Sequence, residues 1–453
     1  MRGLPSVAAN AYLQLHVPEG ESLNNFSVCI YPSPRRASAF MNSEHASQDG
    51  VIKVIENKNI KIVNFCHIPE DCRLRTLSFA VREKRQLEEM LYLGERVDGS
   101  SLFSYIEASS SDIYIVPNPD SFFIDPFSPI PALDIMCTYV DENGKPLSIA
   151  PQAILSKAED TLRSTAGVSL KALAELEFYV QSQEERAPPV VRRKNNYHET
   201  TPLAVFTQLR NEALVTLEEL GVGTKYGHAE VGRFHTRTGR LMEQHEIELL
   251  PRRLGKAAEA TVIAIWVLRN LSRKFGATVS FSPKPTPEHA GSGMHLHLCG
   301  LKDGRNIFAK DNGELTAEAK QAIGGVLKFA PSLAAWGNTN PVSYLRFLFR
   351  SESPMNVSWG TRNRAALIRI PLWWSFKENQ KRAPCRRTIE FRAPDASANT
   401  YLLLAGIALA VEYGLRHPKE ALAIAEALNA DPLGSSGQYP ALPLSWQCDC
   451  PRP

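Results

Sequence analysis

Hydrophobic and polar residues alternate with period two in a series of short segments, and with a period near 3.6 in longer ones between them. The chain therefore reads as mixed strand and helix. The first fifty residues, including the turn-like YPSPRR, show no sustained periodicity and are read as a tail. From Val51, VIKVIEN predicts a helix leading through Asn57 and Asn59 into the alternating strand IKIVNFCHI. DCRLRTLSFAV predicts a second strand, REKRQLEEML a charged helix, and GERVDGSSLFSY a loop. DIYIVPNP and ALDIMCTYV predict two more strands, the second followed by an Asn-Gly turn. These segments make a small α+β unit whose boundary falls between Gly144 and Ile154.

Beyond that boundary helix and strand continue to alternate. AILSKAEDTLRSTAG reads as helix, ALAELEFYV as strand, and PLAVFTQLRNEALVTLEELG as a long helix closed by Gly221. AAEATVIAIWVLRNLSRKFG reads as another helix, with Arg269, Arg273 and Lys274 in its last turns, where cations complement the helix dipole. Helices at YLLLAGIALAVEYGL and EALAIAEALN precede a tail ending LPLSWQCDCPRP. The expected organisation is a tail over 1–50, a small domain over 51–147 and a larger domain over 148–453.

The strand pattern also sorts chemistry onto faces. In KPTPEHAGSGMHLHLCG, a glycine turn runs into a strand that puts His295, His297 and Cys299 on one face and Met294, Leu296 and Leu298 on the other. Gly291 and Gly293 allow the backbone close to a ligand. Four other strands place carboxylates at alternating positions: Glu175 and Glu177 in ELEFYV, Glu230 in GHAEV, Glu246 and Glu248 in EQHEIEL, and Glu390 beside Arg392 in IEFRAP. Each strand alone is explained by a water-facing side. If the faces line one cavity, like charges ~5 Å apart repel by roughly 3 kcal/mol per pair at an effective dielectric near 20, and divalent cations relieve this. Carboxylates with a single imidazole suit Mg²⁺ or Mn²⁺, whereas zinc favours more His or Cys.

Charge and composition narrow the function classes. With 453 residues and 43% hydrophobic content, the chain is long enough for two domains with their own cores. A net charge of +3 without a dominant basic run gives no electrostatic argument for nucleic acid or an anionic membrane. The eight cysteines are scattered, as expected for reduced thiols in the cytoplasm, and only Cys448 and Cys450 sit close together. The opening residues do not read as a secretory signal, and no apolar stretch nears the ~20 residues of a membrane span.

On ELEFYV, GSGMHLH, RNRAALIRIP and IEFRAPDASANTYL, found in this order with DGSS after the small domain, the chain from about Val51 to Pro432 resembles bacterial-type glutamine synthetases. The resemblance implies an α+β fold: a β-grasp-like N-terminal domain, then a catalytic domain whose curved antiparallel sheet lines the active site. It implies ATP-dependent ligation of ammonia to the γ-carboxylate of glutamate, with ATP as co-substrate and two or more Mg²⁺ or Mn²⁺ ions per site. Glu177, Glu230 and Glu246 then correspond to one metal's ligands, and Glu175, His295 and Glu390 to the other's. His297, Cys299, Arg364 and Arg369 fall on the nucleotide side, and Gly291, Arg346 and Arg392 on the glutamate side. Asp98, Glu352 and Arg364 take catalytic roles: Asp98 binds and deprotonates ammonium, Glu352 shields the intermediate, and Arg364 neutralises phosphoryl charge. Ring-shaped hexamers or dodecamers with sites between subunits are also implied. Departures cluster near the acid substrate, where Ala290 stands for the usual Asn, and Val342 and Leu345 change the run before Arg346. They keep open a ligase for another amine or acid. A non-catalytic structural homologue is the third reading, against which the full set of presumed ligands weighs. The insertions GRFHTRTGRLM and WWSFKENQKRAPCRR are expected to be solvated hairpins.

Overall fold

A computed structural model describes residues 47–182, 196–310, 312–348, 353–354, 356–372 and 384–430. The tail up to residue 46, most of the second insertion, Glu352, and the Cys448 and Cys450 pair lie outside them. The first part begins with α1 (Gln48–Asn57), β1 (Ile62–His67), β2 (Arg75–Ala80) and α2 (Lys84–Leu93). β3 (Glu95–Asp98), β4 (Asp112–Ile124) and β5 (Ala132–Val140) complete it. These strands form one sheet in the order β2-β1-β5-β4-β3, with β1 and β5 parallel and the other pairs antiparallel. The amphipathic faces of α1 (Val51, Ile52, Ile55) and α2 (Leu87, Met90, Leu91) bury against Val63, Phe65, Ile115 and Ile135 of the sheet. This is a β-grasp arrangement.

The segment expected to be a loop is half strand. Glu95 to Asp98 pairs with β4 at the sheet edge, and Asp98 then caps a single 3₁₀ turn over Gly99–Ser101 by accepting from Ser100 N. Ladder hydrogen bonds to β4 override the polar composition of the segment.

The second part contains α3 (Pro151–Ala166), β6 (Ser169–Ser182), α4 (Thr207–Glu219), β7 (Thr224–His235), β8 (Leu241–Leu249), β9 (Arg252–Arg253) and α5 (Leu254–Lys274). It continues through β10 (Ala277–Ser280), β11 (Met294–Lys302), β12 (Arg305–Asn306), α6 (Ala317–Lys328), α7 (Ala330–Gly337) and α8 (Leu345–Leu348). β13 (Asn356–Thr361), β14 (Ala366–Ile370), β15 (Ile389–Phe391), α9 (Thr400–Arg416) and α10 (Pro418–Ala427) follow. The curved main sheet runs β13-β14-β15-β11-β6-β8-β7. Leu176, Phe178, Val180, Ile247, Leu296 and Leu298 project from one face into a core shared with α3, α5 and α9. The opposite face holds the carboxylates. The first insertion is a hairpin: β7 extends to His235, turns over 236–240 and returns as β8.

Two expectations are modified. α4 begins at Thr207 rather than near Pro202, because Glu243, from β8, accepts hydrogen bonds from Val205 N and Phe206 N and fixes where the helix starts. β8 is buried at all nine positions, so its burial does not alternate although its side chains do, both of its faces being covered.

The helical layer depends on close backbone contact. A Cβ on Gly325 of α6 would stand 2.0 Å from the Ala410 carbonyl of α9, so only glycine permits that approach. Gly325→Ala should force the helices apart and lower stability by about 1–3 kcal/mol. Gly50→Ala, whose Cβ would meet only Ser47 Oγ at 3.7 Å, should leave the melting temperature unchanged or raise it. Equal melting temperatures for Gly325→Ala and the parent would refute the contact.

Candidate active site

Register brings the ionisable residues into rows. β6 and β8 pair Glu175 with Glu248 and Glu177 with Glu246, and β7 adds Tyr226 opposite Glu248 and His228 opposite Glu246. On the other flank, β11 sets His295 opposite Glu175, while β15 sets Glu390 opposite His297 and β14 sets Arg369 opposite Glu390. Because directly opposed residues share a face, one pocket is lined by all of them except the fully buried Glu390. Its lining also includes Tyr197, Lys225, Ala290, Gly291, Arg346, Arg364 and Arg392.

Two groups of donors emerge among the described residues. Glu175, His297 and Glu390 bring ligand atoms within 4.8 Å of one another, and so do His228, Glu230 and Glu246. His295 reaches both sides, with Nδ1 3.0 Å from Glu175 and 3.7 Å from Glu390, and Nε2 3.9 Å from Glu177. Glu177 Oε2 accepts from Gly293 N at 2.7 Å. A Cβ on Gly293 would lie 2.6 Å from His295 Nε2 and 2.9 Å from Arg346 Nη2, so the glycine turn is what lets imidazole and guanidinium converge there.

The two groups differ electrostatically. Burial opposes ionisation of Glu175, yet the His297 charge and hydrogen bonds from both histidines outweigh it and hold this carboxyl well below the usual range. For His297, burial is outweighed by Glu175, and its imidazole is pushed up to about 9. Glu390 is likewise held low, His297 and Arg392 overcoming its burial. In the second group the compensation, from Val231 N and His228 at Glu230, falls short. Burial, then Glu177 and Glu246, pushes Glu230 up to about 8, and burial with the charges of Glu175 and Glu177 holds Glu246 well above the ordinary range. A cluster that must take up protons to relieve its own repulsion, and offers carboxylate oxygens with one imidazole, fits a hard divalent cation.

Arginines face the acids. Arg369 donates to Glu390 at 2.8 Å, Arg392 pairs with the same carboxylate, and the buried Arg346 donates to the carbonyls of Ala393 and Pro394 at 3.0 and 3.1 Å. The Nε atoms of Arg346 and Arg369 are buried without a hydrogen-bond partner among the described residues. Such donors suit carboxylate or phosphate.

Of the other predicted residues, Gly291 and Arg364 line the pocket. Cys299 continues the His295 and His297 face but lies against Cys385, beyond the pocket lining. Asp98 stands apart on the edge strand β3, exposed, accepting from Ser100 and Ser101, whose hydrogen bonds hold its carboxyl well below the usual range. Val342 and Leu345 are half-buried outside the lining, whereas Ala290 is part of it, its carbonyl accepting from Tyr179 at 2.8 Å. Residues passed over in the sequence are Lys225, Tyr226, His228 and Gln244. Period two from Glu230 back to His228 and Tyr226, and from Glu246 back to Gln244, was the available signal.

Comparison with known proteins agrees with this geometry. Residues 148–447 match the family model of the glutamine synthetase catalytic domain, and residues 59–142 that of the glutamine synthetase β-grasp domain. Glutamine synthetase of Nostoc sp. is 31% identical over 410 residues, 82% of this chain and 82% of that protein. The 3-hydroxylaminophenol mutase of Cupriavidus pinatubonensis is 30% identical over 405 residues, again 82% of each. Among solved structures, Plasmodium falciparum glutamine synthetase superposes with a TM-score of 0.72 at 21% identity, covering 83% of this chain and 76% of that one. With two matched domains in order and the carboxylates gathered on one sheet face, the chain belongs to the glutamine synthetase family.

Proposed function

We propose that this protein joins ammonia to the γ-carboxylate of glutamate at the expense of ATP, by way of γ-glutamyl phosphate, giving glutamine, ADP and phosphate. The observation that carries this reading is a pocket lined by residues of two cation-sized donor groups, with Arg346, Arg364, Arg369 and Arg392 in the same lining. A carboxylate is a poor electrophile, and converting it to an acyl phosphate requires two anions to meet. Arg346 and Arg392, which line the pocket, would hold the substrate's carboxylate, and Arg364 and Arg369 the phosphates. Mg²⁺ or Mn²⁺ held by Glu175, Glu390 and the two histidines, and by Glu177, Glu230, Glu246 and His228, would neutralise charge on the transferred group. Asp98 attracts ammonium and takes its proton; Glu352 shields the acyl phosphate from water.

Asp98 lies on a different sheet from the pocket and does not line it. This supports its acting on a neighbouring subunit's site, in a ring of six or twelve chains in the cytoplasm. A second reading, a ligase for a larger amine or another acid, draws on Ala290 in the pocket lining and on a relative of equal similarity named as a mutase. Purified protein given ATP, Mg²⁺ and saturating glutamate should release ADP with ammonium. Release with a bulky amine and none with ammonium selects the second reading, and none with any amine leaves the structural homologue.

Glu177→Ala and Glu246→Ala should weaken Mg²⁺ binding and lower turnover at least ~100-fold, since each removes charge and geometry from a hard-cation site. Full activity at limiting Mg²⁺ would take these residues out of that site. Between the ordinary carboxylate value of 4.5 and about 8, the folded cation-free protein binds more protons at Glu230 than the unfolded chain. Stability from this group is present below 4.5 and is lost as pH rises through about 8, where a bound cation replaces the proton. Mg²⁺ should therefore raise the melting temperature more at pH 8 than at pH 6; equal shifts would contradict the assignment. Finally, co-assembled rings of Asp98→Asn and Glu177→Gln subunits should regain activity that neither homomer has, and no recovery in verified mixed rings means that each site is built within one chain.

A further inference from the structure

The hairpin that joins β7 to β8 is expected from its sequence to be solvated, yet two of its side chains turn inward. Phe234 and Met242 are buried and form a small apolar cluster with Tyr179 of β6, separate from the two larger cores. The Phe234 ring meets Tyr179 edge to face at 5.7 Å and lies flat on the His289 imidazole, with ring centroids 4.1 Å apart and planes 6° from parallel. His289 opens the glycine turn, immediately before Ala290 and Gly291 in the pocket lining. Phe234, Tyr179 and His289 are not part of that lining, so the hairpin props the turn from outside the pocket.

Three consecutive carbonyls of the turn are held by three side chains from different parts of the chain. Lys284 Nζ donates to the His289 carbonyl at 2.6 Å, the Tyr179 hydroxyl to that of Ala290 at 2.8 Å, and Gln244 Nε2 to that of Gly291 at 2.9 Å. All three donors are buried, which strengthens each bond against competition from water. A trans peptide sets its N–H opposite its carbonyl, so fixing the Ala290 carbonyl also fixes the direction of the Gly291 N–H. The turn lies against Arg346 as well, since a Cβ on Gly291 would stand 2.8 Å from Arg346 Cγ. A shift of the turn therefore displaces both the main chain in the lining and the guanidinium beside it.

Resting on the reading of the pocket as a ligase site for a carboxylic acid, we propose that the hairpin sets the affinity for that acid, with Phe234 and Tyr179 as positioning residues that act through the glycine turn and Arg346. Ala290 offers no polar side chain to the pocket, so recognition there falls to main chain and to Arg346, and both depend on where the turn is held. Phe234 acts by stacking on His289, and Tyr179 by one hydroxyl. Loss of either contact corresponds to roughly a 3–10-fold change in affinity for the acid, the range of one aromatic pair or one buried hydrogen bond.

The test is steady-state kinetics of the full-length protein with Mg²⁺, ATP and the amine that supports ADP release, glutamate being the varied acid, together with calorimetric titration of glutamate in Mg²⁺ and ADP. Phe234→Leu and Tyr179→Phe should each raise KM for glutamate about 3–10-fold and weaken its binding to match, while kcat and KM for ATP change less than about twofold. Phe234→Leu added to His289→Ala should cost little more than His289→Ala alone, because the stack is already gone. Arg237→Ala, on the exposed tip of the hairpin, should change neither constant. Unchanged KM for glutamate in both Phe234→Leu and Tyr179→Phe overturns the inference while leaving the ligase reading intact. A parallel loss of kcat, ATP affinity and melting temperature in both also overturns it, making the hairpin a structural support only. If the parent releases no ADP with glutamate and any amine, the ligase reading itself falls, and this inference with it.

Discussion

Repulsion among buried carboxylates is the constraint on which this structure turns. Glu175, Glu177, Glu246 and Glu248 occupy paired positions on two adjacent strands, a place where like charges destabilise a sheet. The fold tolerates them because each is compensated differently. Glu175 has two imidazoles, Glu177 a backbone N–H, Glu248 a lysine, and Glu246, with Glu230, takes up protons. The apolar faces of the same strands, buried with α3, α5 and α9, supply the stabilisation that holds the acids together. Removing the curvature or the register would leave the same residues as an ordinary wet surface.

Much of this was legible in the sequence, and the reason is period two. In ELEFYV, EQHEIEL and MHLHLC the alternation assigns each side chain to a face without any knowledge of the partner strand. What alternation cannot give is which strands are neighbours, so the partition of donors stayed beyond reach. His228 was passed over because GHAEV shows a single acid, and only pairing with Glu246 makes its imidazole a ligand candidate. His295 reaches toward Glu177 as well as Glu390, while His297 sits squarely with Glu175 and Glu390. Strand spacing alone has no means of distinguishing them. The start of α4 was misread for a related reason: its N-terminal N–H groups are satisfied by Glu243, thirty-six residues beyond Thr207 in the chain, and no local cap announces it.

Asp98 stands apart from the pocket, on the edge strand of the other sheet. Its carboxylate is pre-ordered by two serines on an exposed edge, so little further ordering is needed for it to meet a cation.

The back of β8 has a consequence for how the sheet forms. Its residues 243 to 246 are Glu, Gln, His and Glu, polar on both faces. A slip by one residue would exchange Glu243 and His245 for Gln244 and Glu246 with little change in hydrophobic pattern, so greasy contacts cannot choose the register there. The choice falls to Glu243, which is bonded to the start of α4 and to His245, and to Ile247 and Leu249 at the strand's far end. A polar latch behind the sheet thus sets which acids the pocket receives, and a mutation at Glu243 can scramble the active site without touching it.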